Sequence, residues 1–105
     1  MKLQHKYSAV NVERDGFKFS SEEEELRYDE LKFLVMTGDI IMFLHQVPFR
    51  MPGSTYWADF MVFWWDDEIT IEEVTGVKTA AYKKQKEMMA VHFPAVEIYE
   101  PYRDW

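Results

Sequence analysis

The sequence contains no cysteine, which excludes disulfide bonds, thiolate-bound zinc and cysteine nucleophiles together. Basic residues are few: 12 Lys and Arg stand against 19 Asp and Glu, which gives a net charge of −7. This balance argues against a protein that coats DNA through a generally basic surface. It still allows a DNA enzyme whose carboxylates are neutralised by metal ions.

Long hydrophobic runs are also missing. The opening MKLQHKYSAV has no apolar stretch that resembles a signal peptide. The most apolar tract, Tyr56–Trp65, contains Asp59 and is too short to cross a bilayer. We therefore expect a soluble, cytoplasmic protein.

Apolar material is plentiful: 48% of the residues are hydrophobic and 17% are aromatic, in a chain of 105 residues. A chain of this size forms one domain with one core. We expect that single domain to span residues 1–105, with residues 1–8 as a flexible arm.

The order of local signals predicts an α/β domain. Asp15-Gly16 between alternating apolar residues predicts an N-terminal hairpin over residues 10–19. Ser20-Ser21 before four glutamates predicts the start of a helix that ends at Gly38. A three-stranded mixed or antiparallel sheet, a second helix and a final strand should follow, at Ile40–Phe49, Tyr56–Trp65, Glu68–Thr75, Thr79–Phe93 and Ala95–Tyr99.

Two carboxylates stand at the ends of apolar strand faces. Asp59 and Glu73 lie on strands joined by the turn at Asp66-Asp67. A two-residue turn would place Glu73 opposite Phe60, whereas a three-residue loop or a bulge would place it directly opposite Asp59. Two acids this close need a proton or a cation between them, and carboxylate oxygens suit Mg²⁺ or Mn²⁺. Solvated acids at a sheet edge, with no site, fit the same alternation.

An ordered set of short segments carries a resemblance to a known family. The segments are Phe19–Tyr28, Glu30–Lys32, Gly38–Ile40, Gln46–Pro48, Ala58–Phe60 and Glu73–Thr79. Together they resemble a small phage-associated family of the PD-(D/E)XK nuclease superfamily, which includes restriction endonucleases and Holliday-junction-resolving phage enzymes. The resemblance runs from about Phe17 to Glu100, and it implies a restriction-endonuclease-like core.

The resemblance also implies a set of site residues. Glu24 matches the glutamate of the first helix, Asp59 the motif aspartate, and Glu73 the acid of the (D/E)XK element. These three side chains, with the carbonyl of Val74, would hold Mg²⁺ or Mn²⁺, and Gln46 matches a glutamine that orients the site. Ala58 stands where the superfamily usually has proline.

One position departs from the family pattern. The lysine of the (D/E)XK element should fall two residues after Glu73, and this sequence has Thr75 there. A threonine hydroxyl donates a hydrogen bond but supplies no positive charge. Either Lys78 or Lys83 is a candidate replacement. The candidate DNA contacts are Lys78, Lys83, Lys84 and Lys86.

These features predict a magnesium-dependent endodeoxyribonuclease that hydrolyses phosphodiesters in branched or recombination-intermediate DNA. We expect a homodimer, located in the host-cell cytoplasm if a phage encodes it. One alternative is a catalytically degenerate nuclease fold that binds DNA or a host or phage protein. Another is a homodimeric structural accessory protein whose interface is the aromatic strand.

Several of these residues also have purely structural interpretations. Glu24 could complete a capping box with Ser21, and the lysines could form a solvated helix face. His45 is interpreted as structural. We interpret Trp57, Trp64 and Trp65 as core or dimer contacts rather than base-stacking platforms.

Overall fold

The computed structural model of the protein describes residues 12–74 and 79–102. The predicted flexible arm and the positions of Thr75 and Lys78 lie outside these residues. Within the described ranges, neither helix has the length and hydropathy needed to traverse a bilayer.

The chain folds as an α/β domain whose elements follow the expected order. They are β1 (Val12–Arg14), β2 (Phe17–Phe19), α1 (Glu22–Thr37), β3 (Ile40–Met51), β4 (Ser54–Trp64), β5 (Ile69–Glu72), α2 (Ala80–His92) and β6 (Ile98–Tyr99). β1 and β2 form a two-stranded sheet, and the other strands form a sheet in the order β3-β4-β5-β6. The first three of these strands are antiparallel, and β6 extends the sheet as a parallel neighbour of β5.

Local sequence signals determine the N-terminal hairpin, β1 and β2, and the helix α1. Asp15 and Gly16 both have positive φ angles, 55° and 86°, which a tight two-residue hairpin turn requires. The Ser21 hydroxyl accepts a hydrogen bond from the Glu24 N–H at 3.1 Å and so caps α1. Gly38, with φ 86°, ends the helix by donating its N–H to the carbonyls of Leu34 and Val35.

The loop between β4 and β5 sets the register of the carboxylates. The Trp64 N–H donates to the Glu68 carbonyl at 2.8 Å, so three residues form the loop. The last of them, Asp67, has a φ of 73°, and its N–H bonds to the Trp64 carbonyl at 3.1 Å. Phe60 consequently pairs with Glu72, and the next position along places Asp59 opposite Glu73.

Two apolar clusters divide the core. The α1 cluster contains Phe19, Tyr28, Leu31, Ile40, Phe60, Val62 and Val74. The α2 cluster contains Met51, Tyr56, Ala58, Ile71, Tyr82 and Met89. A buried ion pair joins α1 to the sheet: Arg27 donates to both oxygens of Glu72 at 2.8 and 2.7 Å.

Regular strand alternation is interrupted where the two clusters meet. Phe43 and Phe49 are six residues apart on β3, and regular alternation would place both on one face. Phe43 instead packs against the α1 cluster and Phe49 against the α2 cluster. Gln46 lies between them with a φ of 57°, a left-handed conformation that is uncommon for a residue with a Cβ. This change of face leaves polar side chains at the junction of the clusters.

Candidate functional site

Asp59 and Glu73 form the centre of the site. Their carboxyl groups oppose each other across β4 and the end of β5, and the charge of Asp59 acts on the ionisation of Glu73. Asp59 is 6% exposed, and its Oδ2 accepts the Val74 N–H at 2.8 Å. The Tyr56 hydroxyl donates to Glu73 Oε1 at 2.7 Å. The two carboxylates therefore meet, in the directly opposed register of the two that the sequence allowed.

The electrostatics of this pair are unfavourable for two negative charges. Burial, followed by the charge of Asp59, raises the pKa of Glu73 to about 8, although the hydrogen bond from Tyr56 acts in the opposite direction. Burial and the Glu73 carboxylate in turn raise the pKa of the Tyr56 hydroxyl well above its ordinary value. At neutral pH the pair thus retains a proton unless a cation replaces it.

Gln46 connects this pair to Glu24. Its Nε2 amide donates to Asp59 Oδ1 at 3.0 Å and to Glu24 Oε2 at 2.8 Å. One amide group therefore holds two carboxylates from different elements at a fixed separation. The positive φ at Gln46 belongs to the same residue that makes this bridge.

Glu24 is buried and has polar partners on both carboxylate oxygens. Oε1 accepts the backbone N–H and the hydroxyl of Ser20, both at 3.0 Å, and Oε2 lies 2.5 Å from His45 Nε2. Burial opposes ionisation of Glu24, but the hydrogen bonds from His45, Ser20 and Gln46 outweigh it and lower the pKa of the carboxyl. Ser21 caps the Glu24 N–H, yet the carboxylate turns toward β3 instead of completing a capping box with Ser21.

Sequence reasoning missed two partners of the site, His45 and Tyr56. His45, which the sequence leads us to interpret as structural, contacts Glu24 directly. Its one signal in the sequence is a titratable ring in an otherwise apolar strand, next to Gln46. Tyr56 has no such signal, because an aromatic residue is ordinary in a strand.

The predicted cation-binding residues come together only in part. Among residues 12–74 and 79–102, no group of three or more His, Asp and Glu side chains is arranged to hold a metal ion. Asp59 and Glu73 oppose each other and interact electrostatically, while Glu24 is joined to Asp59 through Gln46. An ion at this site would thus be held chiefly by the Asp59–Glu73 pair.

The predicted DNA-contacting lysines differ in their surroundings. Lys83 and Lys84 are exposed on α2. Lys86 lies 3.6 Å from a carboxylate oxygen of Glu100, and its ammonium lies 5.7 Å from the centre of the Tyr82 ring. Two of the three described lysines are therefore open to a ligand, and Lys86 is partly engaged within the protein.

The three tryptophans of β4 and its loop also differ. Trp64 packs against the α1 cluster and donates its indole N–H to Thr70 Oγ1 at 2.8 Å. Trp57 and Trp65 are 50% and 67% exposed, so they are not core residues, whereas their role as dimer contacts stays a prediction. Trp57 lines a cleft of about 340 Å³ together with Tyr56 and Glu73.

Comparison with known proteins gives one match. A family model described as "Protein of unknown function (DUF1064)" matches residues 4–102. No curated protein and no solved structure matches the chain. The description of the family names no activity, so the geometry of the site carries the functional argument.

Proposed function

Given that the chain belongs to this family of unknown function, we propose from its site that it is a metal-dependent endonuclease that hydrolyses DNA phosphodiesters. The observation that carries the proposal is the pair of Asp59 and Glu73, directly opposed at the end of β5, with Asp59 buried and Glu73 half-buried. Each carboxylate also has a fixed partner, because Asp59 accepts the Val74 N–H and Glu73 accepts the Tyr56 hydroxyl. The resemblance to the PD-(D/E)XK superfamily supports it, since the same two residues match that motif. The restriction-endonuclease-like core is part of the same proposal.

The donor groups of the site fit a hard divalent cation. Asp59, Glu73 and the carbonyl of Val74 would hold Mg²⁺ or Mn²⁺, which both prefer oxygen ligands. Burial and the charge of Asp59 raise the pKa of Glu73, and a divalent cation held between the two carboxylates would offset that repulsion. When bound, the ion would supply Lewis-acid polarisation of a phosphoryl oxygen.

The neighbouring side chains would keep these donors in position. Tyr56 holds Glu73 by one oxygen, and Gln46 holds Asp59 by one oxygen. Glu24 adds a further carboxylate, itself anchored by His45 and Ser20. Donors fixed in this way need little reorganisation when a charged substrate arrives.

Binding of DNA would depend on the lysine face of α2. Lys83 and Lys84 would contact phosphates, with Lys86 beside them, and Lys78 is a further candidate from the sequence alone. Because the chain carries a net charge of −7, affinity for DNA should be modest and fall steeply with salt. A homodimer would place two sites about a two-fold axis, as symmetric cleavage of branched DNA requires.

The proposal is tested by incubating the protein with supercoiled, linear, flap and four-way-junction DNA in Mg²⁺, Mn²⁺ or EDTA. We expect cleavage with either metal and none in EDTA. Asp59→Asn should abolish it, because the variant removes a charged ligand and keeps the shape of the side chain. Asp66→Asn, in the exposed loop of the same hairpin, is the matched control and should cleave normally. Cleavage that survives Asp59→Asn, or an inactive wild type, would contradict the proposal.

The threonine in the lysine position provides a second test. Thr75→Lys should preserve or raise cleavage, because a cation near the scissile phosphate stabilises developing charge. Lys78→Ala should lower the rate by about 10²–10³ if Lys78 has taken over that role, as removal of such a stabiliser commonly does. Single-turnover rates on one flap substrate measure both effects. A rate unchanged by Lys78→Ala would exclude that residue.

The second candidate is a catalytically degenerate fold that binds a protein or DNA. Thr75 and the net charge of −7 favour it. The four glutamates at the start of α1 expose less negative charge for binding a partner than the sequence suggests. Glu24 is buried, and Arg14 contacts Glu25 at 2.9 Å. A wild type that cleaves none of the four DNA forms with either metal would favour this candidate.

A further inference from the structure

An exposed tryptophan stands beside the carboxylate pair. Trp57 is 50% exposed on β4, although its chain neighbours Tyr56 and Ala58 are 2% and 0% exposed. It precedes Asp59 by two residues and lines the same cleft as Glu73. We propose that Trp57 is a stacking platform for an unpaired nucleobase, so that the substrate of this site is single-stranded where it enters. This inference rests on the proposed function and specifies its substrate.

The chemistry of the indole favours a base as the occupant. A broad aromatic face that is half open to water offers stacking to any nucleobase, and stacking needs no particular sequence. The backbone that carries this ring is anchored, because the residues on both sides of it are buried in the α2 cluster. A nucleotide whose base stacks on Trp57 would bring its phosphate into the cleft that Glu73 lines.

The neighbouring cleft offers a place for the next phosphate. Ala81 and Gln85 line both the Trp57 cleft and an adjoining one that includes Lys84. Lys84 is exposed and can neutralise a phosphate that follows the strand along α2. Bases in a duplex are covered on both faces by their neighbours, so only an unpaired nucleotide can use Trp57 in this way.

Binding measured without metal separates this inference from catalysis. We would measure the fluorescence anisotropy of a labelled oligothymidylate, a blunt-ended duplex with the same number of phosphates, and an abasic strand of the same length as the oligothymidylate, all in EDTA. Trp57→Ala should weaken binding of oligothymidylate by about 5- to 150-fold, as the loss of one base–aromatic stack does. Duplex and abasic-strand affinities should not change.

Two variants control for general damage to the protein. Trp57→Phe keeps a ring and should retain most of the affinity for oligothymidylate. Trp65→Ala removes a tryptophan that is 67% exposed in the loop after β4, and this variant should bind every probe as the wild type does. Equal losses on oligothymidylate and on the abasic strand would overturn the inference, as would wild-type affinity in Trp57→Ala or no binding of oligothymidylate by the wild type.

The outcomes also distinguish this inference from the proposed nuclease activity. A wild type that binds oligothymidylate through Trp57 but cleaves no DNA with Mg²⁺ would support the stacking platform and refute the nuclease. If metal-dependent cleavage requires Asp59 but oligothymidylate binding is unchanged by Trp57→Ala, the stacking role of Trp57 is overturned. The proposed nuclease activity is then still supported.

Discussion

The stability of the protein should fall as pH rises through the neutral range, and Glu73 should be the cause. Its pKa is raised from the ordinary 4.5 to about 8 by burial and by the charge of Asp59. Between these two values the folded protein holds a proton that the unfolded chain has released. Because the folded state binds more protons there, the free energy of unfolding decreases with increasing pH.

The size of the effect follows from the two pKa values of Glu73. Integrated from about pH 5 to about pH 8, a folded pKa near 8 and an unfolded pKa near 4.5 reduce the free energy of unfolding by about 3 kcal/mol. Glu73→Gln removes this titration. The amide oxygen still accepts from Tyr56, and the amide N–H still donates to Asp59.

Urea denaturation in EDTA at several pH values measures the difference. Wild-type protein should lose about 3 kcal/mol more than Glu73→Gln between about pH 5 and pH 8. Glu87→Gln, at an exposed position of α2, is the control and should follow the wild type. Mg²⁺ at about pH 8 should restore stability to the wild type and not to Glu73→Gln. Parallel pH profiles for wild type and Glu73→Gln would refute the reasoning.

Two further predictions concern what holds the site in place. Glu72→Ala should destabilise the protein by about 3–5 kcal/mol in urea, because it leaves Arg27 buried without its main partner. Arg14→Ala removes only exposed ion pairs, so it should lower the free energy of unfolding far less than Glu72→Ala does. Equal decreases for the two variants would contradict the argument that burial makes the Arg27–Glu72 pair important. Gln46→Gly should be more stable than Gln46→Ala by about 1 kcal/mol in thermal unfolding, because glycine adopts the φ of 57° without a Cβ clash. Both variants lose the amide bridge, so both should cleave DNA poorly, and normal cleavage by either would exclude the bridge from the mechanism.

The first hairpin and both helices could be predicted because their signals are local. The positive φ angles at Asp15 and Gly16, the cap at Ser21 and the left-handed Gly38 all depend on residues within a few positions of one another. Strand alternation likewise brought Asp59 and Glu73 to the same end of the sheet.

The register of these acids could not be predicted in the same way. It depends on whether the turn after Trp64 has two or three residues, and both lengths are compatible with Asp66-Asp67. The left-handed Asp67 and the hydrogen bond between Trp64 and Glu68 select three residues. A difference of one residue in that loop decides whether the carboxylates are directly opposed.

By itself, the sequence determined the order of elements, the ends of the helices and the placement of Asp59 and Glu73 at one end of the sheet. Backbone preferences and strand alternation depend only on residues that are close together in the chain. Only the tertiary structure decided that Glu24 turns from its cap toward His45 and Gln46. It also decided that alternation is interrupted at Gln46, where one strand serves two apolar clusters. These outcomes depend on packing against residues more than 20 positions away in the chain. A buried ionisable group needs a hydrogen-bond partner, and the tertiary packing determines which partner lies within reach.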